Sequence, residues 1–211
     1  MLDLGLYSIC NRCLFEIVQG CRPLLPWGKQ LRRFKEDPAP ILPLLDALKD
    51  DPSETVRRSV ANNLNDISKH HPDLVISVCS GWLKDASDER RWIVRHATRT
   101  LVKAAHPGVW GLLGYTRNPK VEVSNLSVHP QSIRLGDHVV IAFDLTSRGR
   151  RSQNLVVDYA VHHVKANGET RPKVFKLRVV DLRGGETQSF SKKHRVAEIT
   201  TRKYYPGRHA V

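Results

Sequence analysis

Two spacings of apolar residues divide the 211-residue chain. Up to about residue 116 they recur every three to four positions, as in helices with one buried side. Beyond Arg117 they alternate with polar residues, as in half-buried strands. The first pattern predicts helices over about 29–36, 40–49, 52–69, 73–83, 87–105 and 109–114. Asp51-Pro52-Ser53-Glu54 reads as a helix start, with Asp51 as N-cap, Pro52 in the first turn and Glu54 completing a capping box. Ser87 should cap the helix that ends before Pro107-Gly108. Pro23 and Pro26 exclude a helix interior around Trp27 and place that indole in a stiff turn. Residues 1–18 are mostly apolar without a clean period, and read as a divergent segment holding one weak helix.

The stretch from Asp51 to Ala105 contains one unit twice. DPSETVRRSVANNLNDISKHHP aligns with SDERRWIVRHATRTLVKAAHP, so that Val56 meets Ile93, Arg58 meets Arg95 and Leu64 meets Leu101, a period of 37 residues. That is close to the repeat length of HEAT-type α-solenoids, whose units bury their apolar sides only by stacking. On a helical wheel, Val56, Val60, Leu64 and Ile67 form the buried stripe of the first copy. Ile93, Ala97, Leu101 and Ala104 form that of the second. Ser59, Asn62 and Asp66 then fall together on an uncovered surface, with Arg58 and Asn65 beyond them. The matching surface of the second copy carries Trp92, His96 and Arg99, with Arg95 beside them. Stacked copies should align these two sets. Lys103 is the counterpart of Asp66, so the repeat itself does not require an acid there. Plainer roles remain open. Arg58 could bond across to a neighbouring repeat, Trp92 could pack under the preceding loop, and Asp66 could be an ordinary salt-bridged acid.

In the second part, the runs Val121–Val123, Val139–Leu145 and Leu155–Val161 are separated by turns at Leu135-Gly136-Asp137, Arg148-Gly149-Arg150, Asn167-Gly168 and Arg183-Gly184-Gly185. Short strands at such intervals indicate an antiparallel sandwich of immunoglobulin type. The final run, Tyr205–Val211, stops as it becomes strand-like, so the sandwich reads as lacking its last strand. The expected organisation is a divergent segment at 1–18, HEAT-like helices at 19–116 and an immunoglobulin-like β-sandwich at 117–211.

Charge adds a partner to this picture. The formal net charge is +13, and it is uneven: residues 1–116 hold 16 Lys+Arg against 13 Asp+Glu, whereas residues 117–211 hold 18 against 8. Such an excess selects polyanionic partners, nucleic acid before an anionic membrane. The four cysteines, Cys10, Cys13, Cys21 and Cys79, make no disulfide framework in a chain of this length. Cys10 and Cys13 have CxxC spacing, but no second pair answers them for zinc. No apolar run reaches the ~18 residues of a membrane span.

A concave, partly basic surface suits the backbone of duplex DNA, where Arg and Lys displace counterions. An indole and a carboxylate on that surface suit a cationic, alkylated purine. As its glycosidic bond breaks, positive charge builds on the deoxyribose, which a carboxylate stabilises while positioning water. An indole face attracts the same cation. This chemistry needs no cofactor and no metal.

RPLLPWG, VRRSVANNLNDISKHHPDLV and RRWIVRHATRTLVKAA resemble the AlkC-type alkylpurine DNA glycosylases, relatives of the AlkD enzymes that are built on HEAT-like repeats and carry an immunoglobulin-like domain after them. The resemblance covers about residues 19–211. It implies excision of 3-methyladenine and related cationic lesions from double-stranded DNA without full extrusion of the base. It implies Asp66 as the catalytic carboxylate and Trp27 as an aromatic wall against the lesion. Arg58, Asn62, Trp92, Arg95 and Arg99 would face the DNA. The second domain would grip it through basic loops at Arg148, Arg150 and Arg151 and at Lys192, Lys193 and Arg195. The chain departs from the family where Val18-Gln19-Gly20 stands for Ser-Glu-Gly, an amide replacing a second acid. Several N-terminal repeats of the family are also missing, and the chain reads as a fragment. The expectations are therefore a glycosylase or a truncated form of one, monomeric, cytoplasmic, and without a membrane or an obligate protein partner. A non-catalytic DNA-binding module is the alternative, and a protein-binding scaffold the weaker third.

Overall fold

The structure is a computed structural model that describes residues 11–25, 28, 30–200 and 203–211. These fall into two compact units that divide between Leu113 and Gly114.

The first unit is all helical. Its helices are α1 (Asn11–Gly20), α2 (Arg32–Glu36), α3 (Leu42–Leu48), α4 (Glu54–Ile67), α5 (Pro72–Trp82), α6 (Asp88–Ala97), α7 (Arg99–Lys103) and α8 (Pro107–Leu112), with a 3₁₀ turn at Ala39–Ile41 before α3. Helix α4 is the centre. Its predicted stripe of Val56, Val60, Leu64 and Ile67 is at most 1% exposed and packs with Leu45 and Leu48 of α3, Val75, Cys79 and Trp82 of α5, and Ile93, Val94 and Ala97 of α6. Each Val, Leu or Ile side chain among them contributes roughly 1.5–3 kcal/mol by leaving water. The Trp82 indole N–H is satisfied by Asp46 Oδ1 at 2.8 Å.

Three departures from the sequence pattern bear on the site. Residues 11–20 form a helix that docks on α4, with Val18 fully buried and Leu14 6% exposed. Leu14 and Val18 are four residues apart, the spacing that places two side chains on one helix face, although the surrounding run has no clean period. The helix from Ser87 is not continuous: Thr98 leaves helical geometry at φ −93°, ψ 4°, and separates α6 from α7. Its hydroxyl donates to Val94 O at 2.8 Å, a back-bond that bends helices. Beyond that break Ala104, expected in the buried stripe, is exposed. Finally, α4 begins at Glu54 with Ser53 as N-cap. Asp51 Oδ1 instead accepts the Ser53 N–H at 2.8 Å, a side-chain turn that competes with capping.

The second unit is an antiparallel sandwich. Strands β1 (Val121–His129), β2 (His138–Ser147) and β5 (Thr187–Arg195) form one sheet in the order β1-β2-β5. Strands β3 (Gln153–Val164) and β4 (Thr170–Leu182) form the other. Alternate residues Ile141, Phe143 and Leu145 of β2 meet Leu155, Val180, Leu182 and Phe190 in the core. The run at the end of the chain makes a single antiparallel bridge, Ala210 with His162. Two predicted turns lie side by side: a Cβ at Gly184 would sit 2.7 Å from Arg150 O, so only glycine admits this approach, and Gly185 takes φ +75° beside it.

Candidate active site and nucleic-acid interface

Helix α4 is nearly surrounded, and that changes what its polar residues do. Ser59, Asn63, Asn65 and Asp66 are at most 3% exposed. The surface on which Ser59, Asn62 and Asp66 were expected to lie open is largely covered by α1 and the turn that follows it. Asn63 Nδ2 donates to Val18 O at 3.2 Å. Asn65, expected on the open side, turns toward α7, where its Oδ1 accepts from the hydroxyl of Thr100 at 2.9 Å and from its N–H at 3.3 Å.

Asp66 is 2% exposed and doubly ion-paired. Arg22 places Nε 2.8 Å and Nη2 2.7 Å from Oδ2. Lys69 Nζ lies 2.9 Å from Oδ1, and its side chain is 38% exposed. Arg22 is itself held by Gln19, whose Oε1 accepts from Nη1 at 3.1 Å. Arg99 stands in the same field. Burial pulls its guanidinium below the usual range, the Asp66 charge opposes that and the Arg22 charge adds to it.

The cross-repeat alignment places the remaining helical residues together. Asn62 Oδ1 accepts from Arg99 Nη2 at 3.0 Å and meets His96 Nε2 at 3.1 Å. The His96 ring stacks on the Trp92 indole with centroids 4.9 Å apart. Arg58 lies over the same indole at 5.8 Å and pairs with Glu54 at 2.6 Å. Arg58 therefore bridges the successive inner helices through an aromatic ring. Arg95 is exposed. Trp27 lies outside the described residues.

His96 is held neutral. Burial, with the charges of Arg99 and Arg58, lowers its pKa to about 4. Because Asn62 presents an oxygen to it, Nε2 carries the proton and donates. The unfolded chain takes up this proton near 6.5, the folded one only near 4, so stability falls as pH drops between those values. The loss should reach about 1–2 kcal/mol after solvent screening. The His96 imidazole resonance should titrate near pH 4 by NMR; a midpoint near 6.5 would contradict this packing.

In the second unit the basic residues sort differently from the sequence expectation. Arg148 is paired with Glu122 through Nε at 2.6 Å and through Nη2. Arg150 and Arg151 are exposed in the turn between β2 and β3. Lys192, Lys193 and Arg195 lie within β5 and not in a loop. Lys192 pairs with Ile141 and Lys193 with Val140, so strand alternation sends their side chains to opposite sides of the sheet.

Arg22, Lys69 and Gln19 are the site residues that motif reading left without a role. Lys69 is three residues from Asp66, a helical neighbour legible from spacing. Arg22 is 44 positions away, and only the unexplained acid at Asp66 signalled that a cation must answer it. Among the described residues no group of three or more His, Cys, Asp or Glu could hold a metal ion, and no helix is long and apolar enough to cross a membrane. Cys10 of the CxxC pair lies outside the described residues.

A helical unit built on α4 followed by an immunoglobulin-like sandwich is the architecture of the AlkC-type alkylpurine DNA glycosylases, and this chain resembles them along nearly its whole length. The structure of Pseudomonas fluorescens alkylpurine DNA glycosylase AlkC, bound to DNA containing an abasic site analogue, matches with a TM-score of 0.90 at 39% identity, covering 96% of this chain and 56% of that one. A curated relative, the uncharacterized protein YhaZ of Bacillus subtilis (strain 168), is 39% identical over 193 residues, which make up 92% of this chain and 53% of the relative. The family described as uncharacterised protein YhaZ, C-terminal Ig-like domain, matches residues 122–211. The chain thus spans about half the length of the relatives it matches.

Proposed function

We propose that this chain acts on double-stranded DNA as a glycosylase for cationic alkylated purines of the 3-methyladenine type. The observation that carries the reading is its likeness to an alkylpurine DNA glycosylase seen bound to DNA. The chemistry around α4 is consistent with it. An alkylated purine leaves with the electron pair of its glycosidic bond, and the positive charge passes to the deoxyribose. A carboxylate beside C1′ stabilises that charge and orients the water that adds there and loses a proton. Asp66 supplies the carboxylate. Lys69, the exposed one of its two partners, would swing away to uncover Oδ1. Trp92, already a platform for Arg58 and His96, offers an aromatic face, and Arg95 and Arg99 offer cations to backbone phosphate. Two outcomes measured together test the reading: release of 3-methyladenine from methylated duplex DNA, and duplex affinity against salt. If Arg95, Arg150, Arg151 and one of the two lysines Lys192 and Lys193 meet phosphates, log affinity should fall against log salt with a slope of roughly −4, and Arg150→Gln with Arg151→Gln should reduce the slope by about 2. A flat dependence would exclude DNA as the partner.

The burial of Asp66 favours a second reading. A carboxylate 2% exposed and clamped by Arg22 and Lys69 also fits a structural ion pair in a non-catalytic DNA-binding module. That module would show the salt dependence without base release.

A further inference from the structure

Strand β4 carries cations where a sandwich has its core. Residues 170–180 hold Arg171, Lys173, Lys176 and Arg178 and no acid. Across the β3-β4 ladder Arg171 pairs with His163, Lys173 with Val161 and Arg178 with Val157. Val161 is 5% and His163 8% exposed. Partners directly opposite share a face, so Arg171 and Lys173 start from the inner side of their sheet. Arg178 does the same beside Val157, which packs against the core. Lys192 starts from the inner side of the other sheet, opposite the buried Ile141. These four side chains are exposed all the same. Among the described strands β4 is paired on one side only, and so is β5, and long charged side chains reach past such edges to water. None of the four is ion-paired among the described residues.

An aromatic cluster lies between them. Phe175 stacks on Tyr159, its partner across the ladder, with centroids 5.3 Å apart. His194 of β5 meets the Phe175 ring at a steep angle, 4.8 Å between centroids, and its Nδ1 lies 2.9 Å from the Tyr159 hydroxyl. Phe175 stays partly exposed, with Lys173 Nζ 5.5 Å from its centroid. From the Phe175–His194 contact, Arg178 and Lys192 lie towards the turn that joins β4 to β5, and Lys173 and Arg171 lie the other way. Cations on edge strands discourage pairing with strands of another molecule. That role explains the charges and leaves the ring at their centre without one.

A partly open ring flanked by unpaired cations fits an unstacked base and its backbone. Duplex DNA cannot use the ring, because the faces of its bases already cover one another. We propose that the β4–β5 edge binds single-stranded DNA, a base stacking on Phe175 while Lys173, drawn off the ring, meets phosphate with Arg171 and Arg178. The inference rests on DNA as the partner of this chain and adds a site for a strand whose bases are open. It is tested on the full chain by fluorescence anisotropy, with a labelled oligothymidylate and, separately, a duplex. The oligothymidylate should bind saturably at low salt. Phe175→Leu should weaken that binding roughly ten-fold, the loss of one stacked base, and leave duplex affinity unchanged. Lys173→Gln with Arg178→Gln, both at exposed positions, should flatten the oligothymidylate salt slope by about 1.4, so the test survives if the Phe175 variant fails to fold. Duplex binding without oligothymidylate binding overturns the proposal and leaves the glycosylase reading standing, whereas binding of neither defeats both. Unchanged oligothymidylate affinity and salt slope in both variants, with parent-like melting, overturn it as well. So does an equal loss of duplex and oligothymidylate affinity in Phe175→Leu, which would make the ring a support of the fold.

Discussion

Asp66→Asn should slow release of 3-methyladenine from methylated duplex DNA by about 10²–10³-fold, the effect of removing one preorganised electrostatic group from a developing charge. The substitution keeps the shape of the side chain and an oxygen able to accept from Arg22, whose Nε and Nη2 lie 2.8 and 2.7 Å from Oδ2. Affinity for duplex DNA should change little, because Asp66 is 2% exposed and offers phosphate nothing. The result is a loss of rate with binding retained, read by single-turnover base release beside a binding isotherm. Equal release by parent and variant, both above the DNA-only background, would remove Asp66 from the chemistry and leave it as an ion-pair partner alone.

Arg22→Met should destabilise the helical unit by about 3–5 kcal/mol, the usual consequence of removing one member of a buried ion pair. Asp66 would keep only Lys69, whose side chain is 38% exposed, and Gln19 would lose the donor at 3.1 Å. Domains are stable by only about 5–15 kcal/mol, so urea denaturation should register a large drop in midpoint. Replacing both partners, Arg22→Met with Asp66→Leu, should cost clearly less than the single change, because no buried charge is then left without its mate. A single-variant loss below about 1 kcal/mol would show that water or Lys69 suffices for Asp66.

The apolar stripe of α4 could be read from the sequence because a helix period acts on every turn: Val56, Val60, Leu64 and Ile67 are all buried. The alternation of β2 was legible for the same reason, with Ile141, Phe143 and Leu145 in the core. The meeting of Asn62 with His96 and Arg99 followed from aligning two copies of one unit. Long-range polar pairing was not legible. Nothing local marks Arg22 as the partner of Asp66, since a salt bridge between a turn and a helix leaves no period. The covering of Ser59 depends on a ten-residue helix whose apolar positions, Leu14, Phe15, Ile17 and Val18, have helical spacing that the apolar residues before it obscure. The break at Thr98 comes from one hydroxyl choosing Val94 O, an option open to any helical threonine. Lys192 and Lys193 resemble a loop in composition, but they are paired within β5.

Incubating the chain with a duplex that carries 3-methyladenine, at low salt and with the chain in excess, asks most directly whether this helical unit hydrolyses the glycosidic bond. Free 3-methyladenine and abasic sites should accumulate together, above the spontaneous rate and in equal amounts. Saturated DNA binding with no base released beyond the spontaneous rate would contradict the glycosylase reading and leave a DNA-binding module.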